Sequence, residues 1–365
     1  MDVVDKIAEQ ISKQSPEDID AELLAFLEKS KPKIVVVGTG GSGSNTLNRM
    51  SEVGIEGAEL IAMNTDVRHL LKIKADKKVL LGKMTTKGMG AGSNPLIGEN
   101  AAKEAQEDIK KALSGANLVF ITCGLGGGTG TGSAPLIAEI SRQLGALTIA
   151  VVTLPFASEG RVRMQHALEG LEKLRRNVDT AIIIPNDKLL TVAPDLPLNT
   201  AFKVCDEVLT SAVKSIAELV TKAGLVNLDF ADLKTILSNA GCAVVGVGEA
   251  SIEAKPQERA ILAAEMALTS PLLDVEISQA QRALINITGG EDMTLKEAEI
   301  IVSAVAKRID PNAHIIWGAR IEKSAKKNAI RVLLVIAGAK FPRYELSSFN
   351  PENIEFESLD LDLLS

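Results

Sequence analysis

A chain of 365 residues, 46% hydrophobic and 24% charged, has the composition of a globular protein with room for about two domains. Its 40 Lys and Arg against 47 Asp and Glu leave a net charge of −7 spread along the chain, which argues against a nucleic-acid surface because phosphate binding needs clustered cations. No apolar run is long enough to cross a bilayer, Cys123, Cys205 and Cys242 are too scattered for a disulfide scaffold or zinc site, and three histidines leave little for imidazole-based catalysis.

In chain order, MDVVDKIAEQ is acidic and amphipathic, without the basic start and apolar core of a secretory signal, so a cytoplasmic location is expected. Residues 1–30 read as a helical extension, with Ser15 as N-cap before Pro16 and apolar spacing at Ile19, Leu23, Leu24 and Leu27. From Lys33 apolar strands alternate with amphipathic helices: KIVVVG, a helix from about Ser44, AELIAMN, KKVLLG, the loop GKMTTKGMGAGSNP, a helix over 99–113, LVFITC, a helix from Ser133, ALTIAVVTL, a helix over 160–176 and TAIIIP. This pattern predicts a doubly wound α/β domain, a parallel sheet covered on both faces, with ligands at the carboxyl ends of its strands.

A helical stretch from about Thr200 to Lys222, apolar at 202, 205, 208, 209, 212, 213, 216, 219 and 220, predicts a central buried helix. Beyond it, CAVVGVG, RALINITG, AHIIWGA and AIRVLLVIAG, with helices over 256–268 and 294–308, predict a smaller α+β unit with a four-stranded sheet. The expected division is an extension (1–30), a nucleotide-binding domain (31–199), the central helix and connection (200–226), an α+β domain (227–340) and an acidic, aperiodic tail (341–365).

Two glycine-rich turns carry the chemistry. The first, Gly38-Thr39-Gly40-Gly41-Ser42-Gly43, follows a strand and opens a helix, the setting in which backbone N–H groups approach phosphate oxygens. Alone it also suits a dinucleotide such as NAD(P), with Asp66 at about the right distance to hold a ribose, or a plain tight turn. The second, Gly124 to Gly132, has six glycines in nine residues and again joins strand to helix. A dinucleotide fold needs only one such loop, whereas two at one sheet edge can wrap a polyphosphate. No GxxxxGK[ST] is present, so backbone amides, hydroxyls and Mg²⁺ are expected to meet the phosphate charge.

The segment GGGTGTG at 126–132 resembles the signature of the tubulin/FtsZ superfamily of GTPases. NTD at 64–66, GAGSNP at 90–95, PFASEGRVR at 155–163, IPND at 184–187, AFKVCDEVL at 201–209 and VNLDFADL at 226–233 fall in the order and spacing of its prokaryotic cell-division branch, FtsZ, so that the resemblance covers about residues 31–340. It implies GTP/GDP as ligand and makes 31–199 the GTP-binding domain. It further implies phosphate contacts from Gly40, Gly41, Gly43 and from Gly126, Gly127, Gly128, Thr129, Gly130, Thr131 and Gly132, with Asn64 of the NTD motif in the same site. Ala91, Gly92 and Asn94 match the loop that senses the γ-phosphate, Glu159 and Arg163 the ribose and phosphate contacts, Asn45, Asn186 and Asp206 the guanine edge, and Phe202 the residue stacked on the base. An Asp accepting from guanine N1 and its exocyclic amine rejects adenine, which lacks that donor pair.

Asp229 and Asp232 by themselves read as N-cap and N3 of a helix. The helix between them and the base, however, carries the chain about 30 Å away at 1.5 Å per residue, out of reach of its own phosphates. The resemblance gives the pair a role in hydrolysing the nucleotide of the next subunit, with Asn227 in support, and so implies a head-to-tail homopolymer forming the division ring. A GTP-binding relative that does not hydrolyse is the other reading within the family, disfavoured by the presence of both carboxylates. Ser42 and Ser44 replace the Gly, Ala or Asn of many members, and the tail lacks a DIPxFLR-like motif, so that a membrane tether or regulator is expected there without its identity being readable. His69, His166 and His314 are expected at surface or helix-end positions, the cysteines and Trp317 in the core with Cys123 next to the glycine turn, and KSAKK at 323–327 in a solvated turn.

Overall fold

The computed structural model describes residues 31–192, 198–222, 224–226, 228–251, 256–273, 275–322 and 329–338. The expected extension at 1–30, Asn227, the 323–327 turn and the tail from 341 lie outside these residues. All ten anticipated strands form: β1 (Ile34–Thr39), β2 (Ala58–Asn64), β3 (Lys77–Leu80), β4 (Leu118–Gly124), β5 (Leu147–Leu154), β6 (Thr180–Pro185), β7 (Gly241–Ser251), β8 (Arg282–Gly289), β9 (His314–Ile321) and β10 (Ala329–Ala337). The first six pair in parallel in the order β3-β2-β1-β4-β5-β6, as the mostly apolar, buried runs of β1, β4, β5 and β6 lead one to expect when both faces are covered. The last four add β7-β10-β8-β9, with β10 antiparallel to both neighbours. The two sets join in one ten-stranded sheet through a short parallel pairing, Thr180 to Ile182 against Gly241 to Ala243.

The chain order of the parallel strands reverses at β1, which lies between β2 and β4. Helix α1 (Gly40–Val53) leaves β1 on one face, burying Leu47 and Met50. The next helices are α2 (Val67–Lys72), α3 (Pro95–Glu104) and α4 (Gln106–Leu113), followed by α5 (Thr129–Gln143), which leaves β4 on the opposite face with Ile137 in a second core. A doubly wound sheet opens a crevice at such a reversal, and here each of the two helices that flank it begins with a glycine turn. Both helices start four residues earlier than the apolar pattern predicts, at Gly40 and Thr129, so the glycine turns form their first turns. The helix expected over 99–113 is two, starting at Pro95 because Asn94 caps it and Pro occupies N1, and broken at Ala105.

Helices α6 (Arg161–Asn177) and α7 (Asn186–Val192) precede the central helix α8 (Leu198–Thr221), whose 24 residues span about 36 Å. Cys205, Leu209, Ala212, Val213, Ile216 and Ala217 form its buried stripe on the α1 face, shared with Leu233, Ile236 and Leu237 of α9 (Phe230–Leu237). Helices α10 (Pro256–Leu268) and α11 (Leu295–Ala306) cover the last four strands with a third core, against which Trp317 packs.

Candidate functional site

At the carboxyl ends of β1 and β4 lies a cleft of about 430 Å³. Its floor is the first turns of α1 and α5, in contact with one another: a Cβ on Gly40, whose φ is +73°, would stand 2.7 Å from the Gly130 nitrogen. Neither helix has a side-chain cap, and neither carries an acidic residue in its first turn. The Thr39 hydroxyl, in position to cap α1, instead pairs with Ser133 at 2.6 Å, and Gly128 offers no side chain. Four other helices are capped, Asp66 accepting from the Arg68 and His69 amides, Asn94 from Leu96, Asp229 from Asp232 and Thr294 from Glu297, while α4 and α6 are not. Two uncapped N-termini converging on one cleft leave amide donors and two positive dipole ends for an anion.

Arg163 is the one cation among the described side chains that line the cleft, and it is held by Glu159 at 3.0 Å; Glu159 in turn accepts from the Phe156 amide at 2.8 Å. One guanidinium falls short of a triphosphate's charge. Among the described residues no cluster of three or more His, Cys, Asp or Glu side chains forms a metal cage. The Ser42 hydroxyl at the cleft is a neutral oxygen that would suit a hard cation such as Mg²⁺.

The other end of the cleft is shaped for a flat polar ring. Phe202, at the start of α8, is 41% exposed although it follows the helix's apolar spacing, and it meets Phe156 in a T-shaped contact at 5.5 Å. One turn on, burial pushes the Asp206 carboxyl up to about 6, opposed by the Thr46 hydroxyl, which donates to it at 2.8 Å. Asn186 is buried, yet its side-chain oxygen has no hydrogen-bond partner. An orphan acceptor in a cleft wall calls for a ligand donor. Asp187 beside it is also raised by burial, while accepting from the Ala157 amide at 3.1 Å.

Of the residues read as ligand contacts, Gly40, Gly41, Asn45, Ala91, Gly127, Gly128, Thr129, Gly130, Glu159, Arg163, Asn186, Phe202 and Asp206 line the cleft. Gly43, Asn64, Gly126, Thr131 and Gly132 do not line it and are buried, and Gly92 and Asn94 do not line it and are exposed to solvent. Gly43 lets α1 close on β4, since a Cβ would lie 2.3 Å from the Thr122 oxygen, and Gly132 does the same for α5 and α3, at 2.1 Å from the Pro95 oxygen. Thr131 accepts from the Gly126 amide at 2.9 Å, and Asn94 caps α3 while its loop packs on Gly128. Thr39, Ser93, Gly124, Leu125, Thr153, Pro155 and Cys205 line the cleft without having been singled out. Thr39, Gly124 and Thr153 end or nearly end their strands, so the rule that ligands sit at strand carboxyl ends could have found them. The three thiols are buried, and burial pushes those of Cys123 and Cys205 up to about 12, which removes them as nucleophiles at neutral pH.

Asp229 and Asp232 form a capping box at the start of α9, exchanging amide bonds of 2.7 and 3.3 Å. Neither lines the cleft. At the far end of α8, Thr221 donates to the Glu56 carbonyl just before β2, and Leu237 at the end of α9 accepts from Thr180, the first residue of β6. Both contacts lie at the amino edge of the parallel sheet, whereas the cleft is at its carboxyl edge. Asp66, which a dinucleotide site would use on ribose, is committed to capping α2.

The sequence model of the Tubulin/FtsZ family, GTPase domain, matches residues 33–194, and that of the FtsZ family, C-terminal domain, matches residues 241–340. The chain is 56% identical over 326 residues to Cell division protein FtsZ 1 of Methanocaldococcus jannaschii, covering 89% of this chain and 88% of that protein. It is 54% identical over 352 residues to Cell division protein FtsZ 1 of Thermococcus kodakarensis, covering 95% and 93% of the two. Among solved structures, an empty FtsZ dimer from M. jannaschii superposes with a TM-score of 0.83 at 57% identity, covering 89% of this chain and 93% of that one. CetZ2 of Haloferax volcanii, at 22% identity over 87% of this chain and 96% of its own, shares the fold with a TM-score of 0.72.

Proposed function

The chain belongs to the FtsZ family of tubulin-like GTPases, and we propose that it hydrolyses GTP at sites built between successive subunits of a head-to-tail filament. It is a GTPase of cell division, and the relatives that carry this fold at above 50% identity are cell division proteins. GTP lies with its phosphates over the α1 and α5 N-termini, its base against Phe202 and its ribose near Glu159 and Arg163. Ionised Asp206 accepts from guanine N1–H and the 2-amino group, and the Asn186 oxygen takes a further donor. A bound Mg²⁺, for which the Ser42 hydroxyl at the cleft would be a neutral oxygen ligand, would supply neutralisation of phosphate charge. The amides of the two glycine turns hold the phosphates in line and meet the charge that gathers on their oxygens.

The observation that supports this reading is that the anion cradle sits at the carboxyl edge of the sheet, whereas α8, which leads on to Asp229 and Asp232, ends at the amino edge, where Thr221 meets Glu56. Within one chain the pair cannot reach a γ-phosphate. In a stack that repeats edge on edge, the amino edge of one subunit covers the cleft of the next, and a carboxylate there orients the attacking water. Such a heterologous contact does not close and therefore propagates. An FtsZ dimer is among the similar solved structures, which supports self-association. Asn227, beside this pair in sequence, is assigned to support it. We further propose that the filament acts in the cytoplasm at the division site, and that the tail from 341 takes a membrane tether or regulator as partner.

The test is phosphate release against protein concentration, with electron microscopy of the same samples. The expected result is a threshold above which turnover per chain rises steeply and filaments appear. Concentration-independent turnover per chain by monomers overturns the shared site.

A further inference from the structure

His69 lies outside the motifs that carry the resemblance, yet it sits between two residues read as ligand contacts, Asn64 and Asn45. We infer that His69 is a positioning residue of the nucleotide site, holding the carboxamide of Asn45 so that its NH₂ group and not its oxygen faces the cleft, which makes Asn45 a donor to an acceptor atom of the bound guanosine. This rests on the reading of Asn45 as a nucleotide contact and specifies its chemistry.

The argument is one of hydrogen-bond direction, and it starts from a backbone amide that can only donate. The Asp66 N–H points at the Asn64 side-chain oxygen, 3.2 Å away, which fixes which end of that buried amide is oxygen. The Asn64 nitrogen therefore faces the other way, towards Nδ1 of His69 at 3.2 Å and the Ser44 hydroxyl at 3.4 Å. Since the Asn64 NH₂ can only donate, Nδ1 must accept, and a neutral imidazole that accepts at Nδ1 carries its proton on Nε2. Nε2 lies 3.1 Å from the Asn45 side-chain oxygen and donates to it. With its oxygen engaged, Asn45 presents its NH₂ to the cleft it lines. Asp206, which also lines the cleft, presents only acceptors when ionised. The two side chains thus offer opposite polarity to the nucleoside, as guanosine, with donors at N1 and N2 and acceptors at O6, N3 and the ribose oxygens, demands. Helix α2 holds the ring in place, because the His69 amide donates to the capping carboxylate of Asp66 at 3.1 Å.

The test uses GDP binding to the unassembled full-length chain, so that neither hydrolysis nor polymerisation enters. His69→Leu and Asn45→Ala should each weaken GDP by ~tenfold, the worth of one neutral hydrogen bond. The double variant should be no weaker than Asn45→Ala alone, because His69 acts only through Asn45. His69→Gln, whose amide nitrogen can replace Nε2 as donor, should restore most of the affinity. In ¹⁵N-histidine spectra of the nucleotide-free protein the signal lost in His69→Gln should be that of the Nε2–H tautomer. Additive losses, a silent His69→Leu beside a damaging Asn45→Ala, or an Nδ1–H tautomer would each overturn the relay. Wild-type affinity in Asn45→Ala overturns instead the placement of Asn45 against the nucleotide, and this inference with it.

Discussion

Replacing Asp232 by Ala separates fold from catalysis, and the capping box tells why it does so better than a change at Asp229. The bond that secures the first turn of α9 runs from the Asp232 amide to the Asp229 carboxylate at 2.7 Å and survives in Asp232→Ala. The bond lost, from the Asp229 amide to the Asp232 carboxylate, is long at 3.3 Å and solvent-accessible, so its removal costs about 0.5 kcal/mol and shifts Tm by about 1–2 °C. Asp229→Ala would remove the N-cap itself, at about 1 kcal/mol, and confuse the two effects. Removing a group that orients or deprotonates the attacking water lowers kcat by about 10²–10⁴-fold, equivalent to about 3–5 kcal/mol in the barrier. Phosphate release by Asp232→Ala alone should fall by that factor while GDP affinity stays unchanged. The decisive assay holds wild type below its own assembly threshold and adds excess variant. Mixed filaments then place wild-type carboxylates over nucleotide bound by the variant, and phosphate release rises several-fold above that of wild type alone. If light scattering shows co-assembly while release stays at the wild-type value, each chain cuts its own nucleotide and the shared site is wrong.

Three further outcomes follow from the cleft. Burial holds Asp206 at about 6 in the free protein, and only its ionised form can accept from guanine; GDP affinity should therefore be about tenfold weaker at pH 5 than at pH 7 in titration calorimetry, a dependence that Asp206→Asn removes. Gly132→Ala forces a methyl to 2.1 Å from the Pro95 oxygen and should cost about 1–3 kcal/mol in thermal unfolding, whereas Gly127, with nothing within 4 Å of its Cβ position, should accept Ala without loss of Tm but bind GDP more weakly. Phe202→Ala should weaken GDP by about 1–3 kcal/mol through lost base stacking, seen in competition binding, with little change in unfolding because the ring is 41% exposed.

The strands, most helices and the central α8 stripe were legible because burial on both sheet faces and on one helix face writes periods of apolar residues into the chain. The glycine turns and the motifs around them identified the ligand class for a related reason: only particular residue types permit a backbone to approach phosphate closely. Local pattern also marked Asp229 and Asp232 as a capping pair, and that is what they are. What it could not do was divide the glycines by task. Gly40 and Gly130 face the cleft while Gly43 and Gly132 close helices onto β4 and α3, a distinction made by which backbone lies opposite each missing Cβ. Nor does a histidine one turn into a short helix reveal that it lies between two asparagines 24 and 5 residues away. Such contacts carry no period and no spacing rule, because they arise where β1, β2 and the helices that follow them meet. Tertiary structure alone decided these, along with the joining of both strand sets in one sheet through Thr180–Ile182.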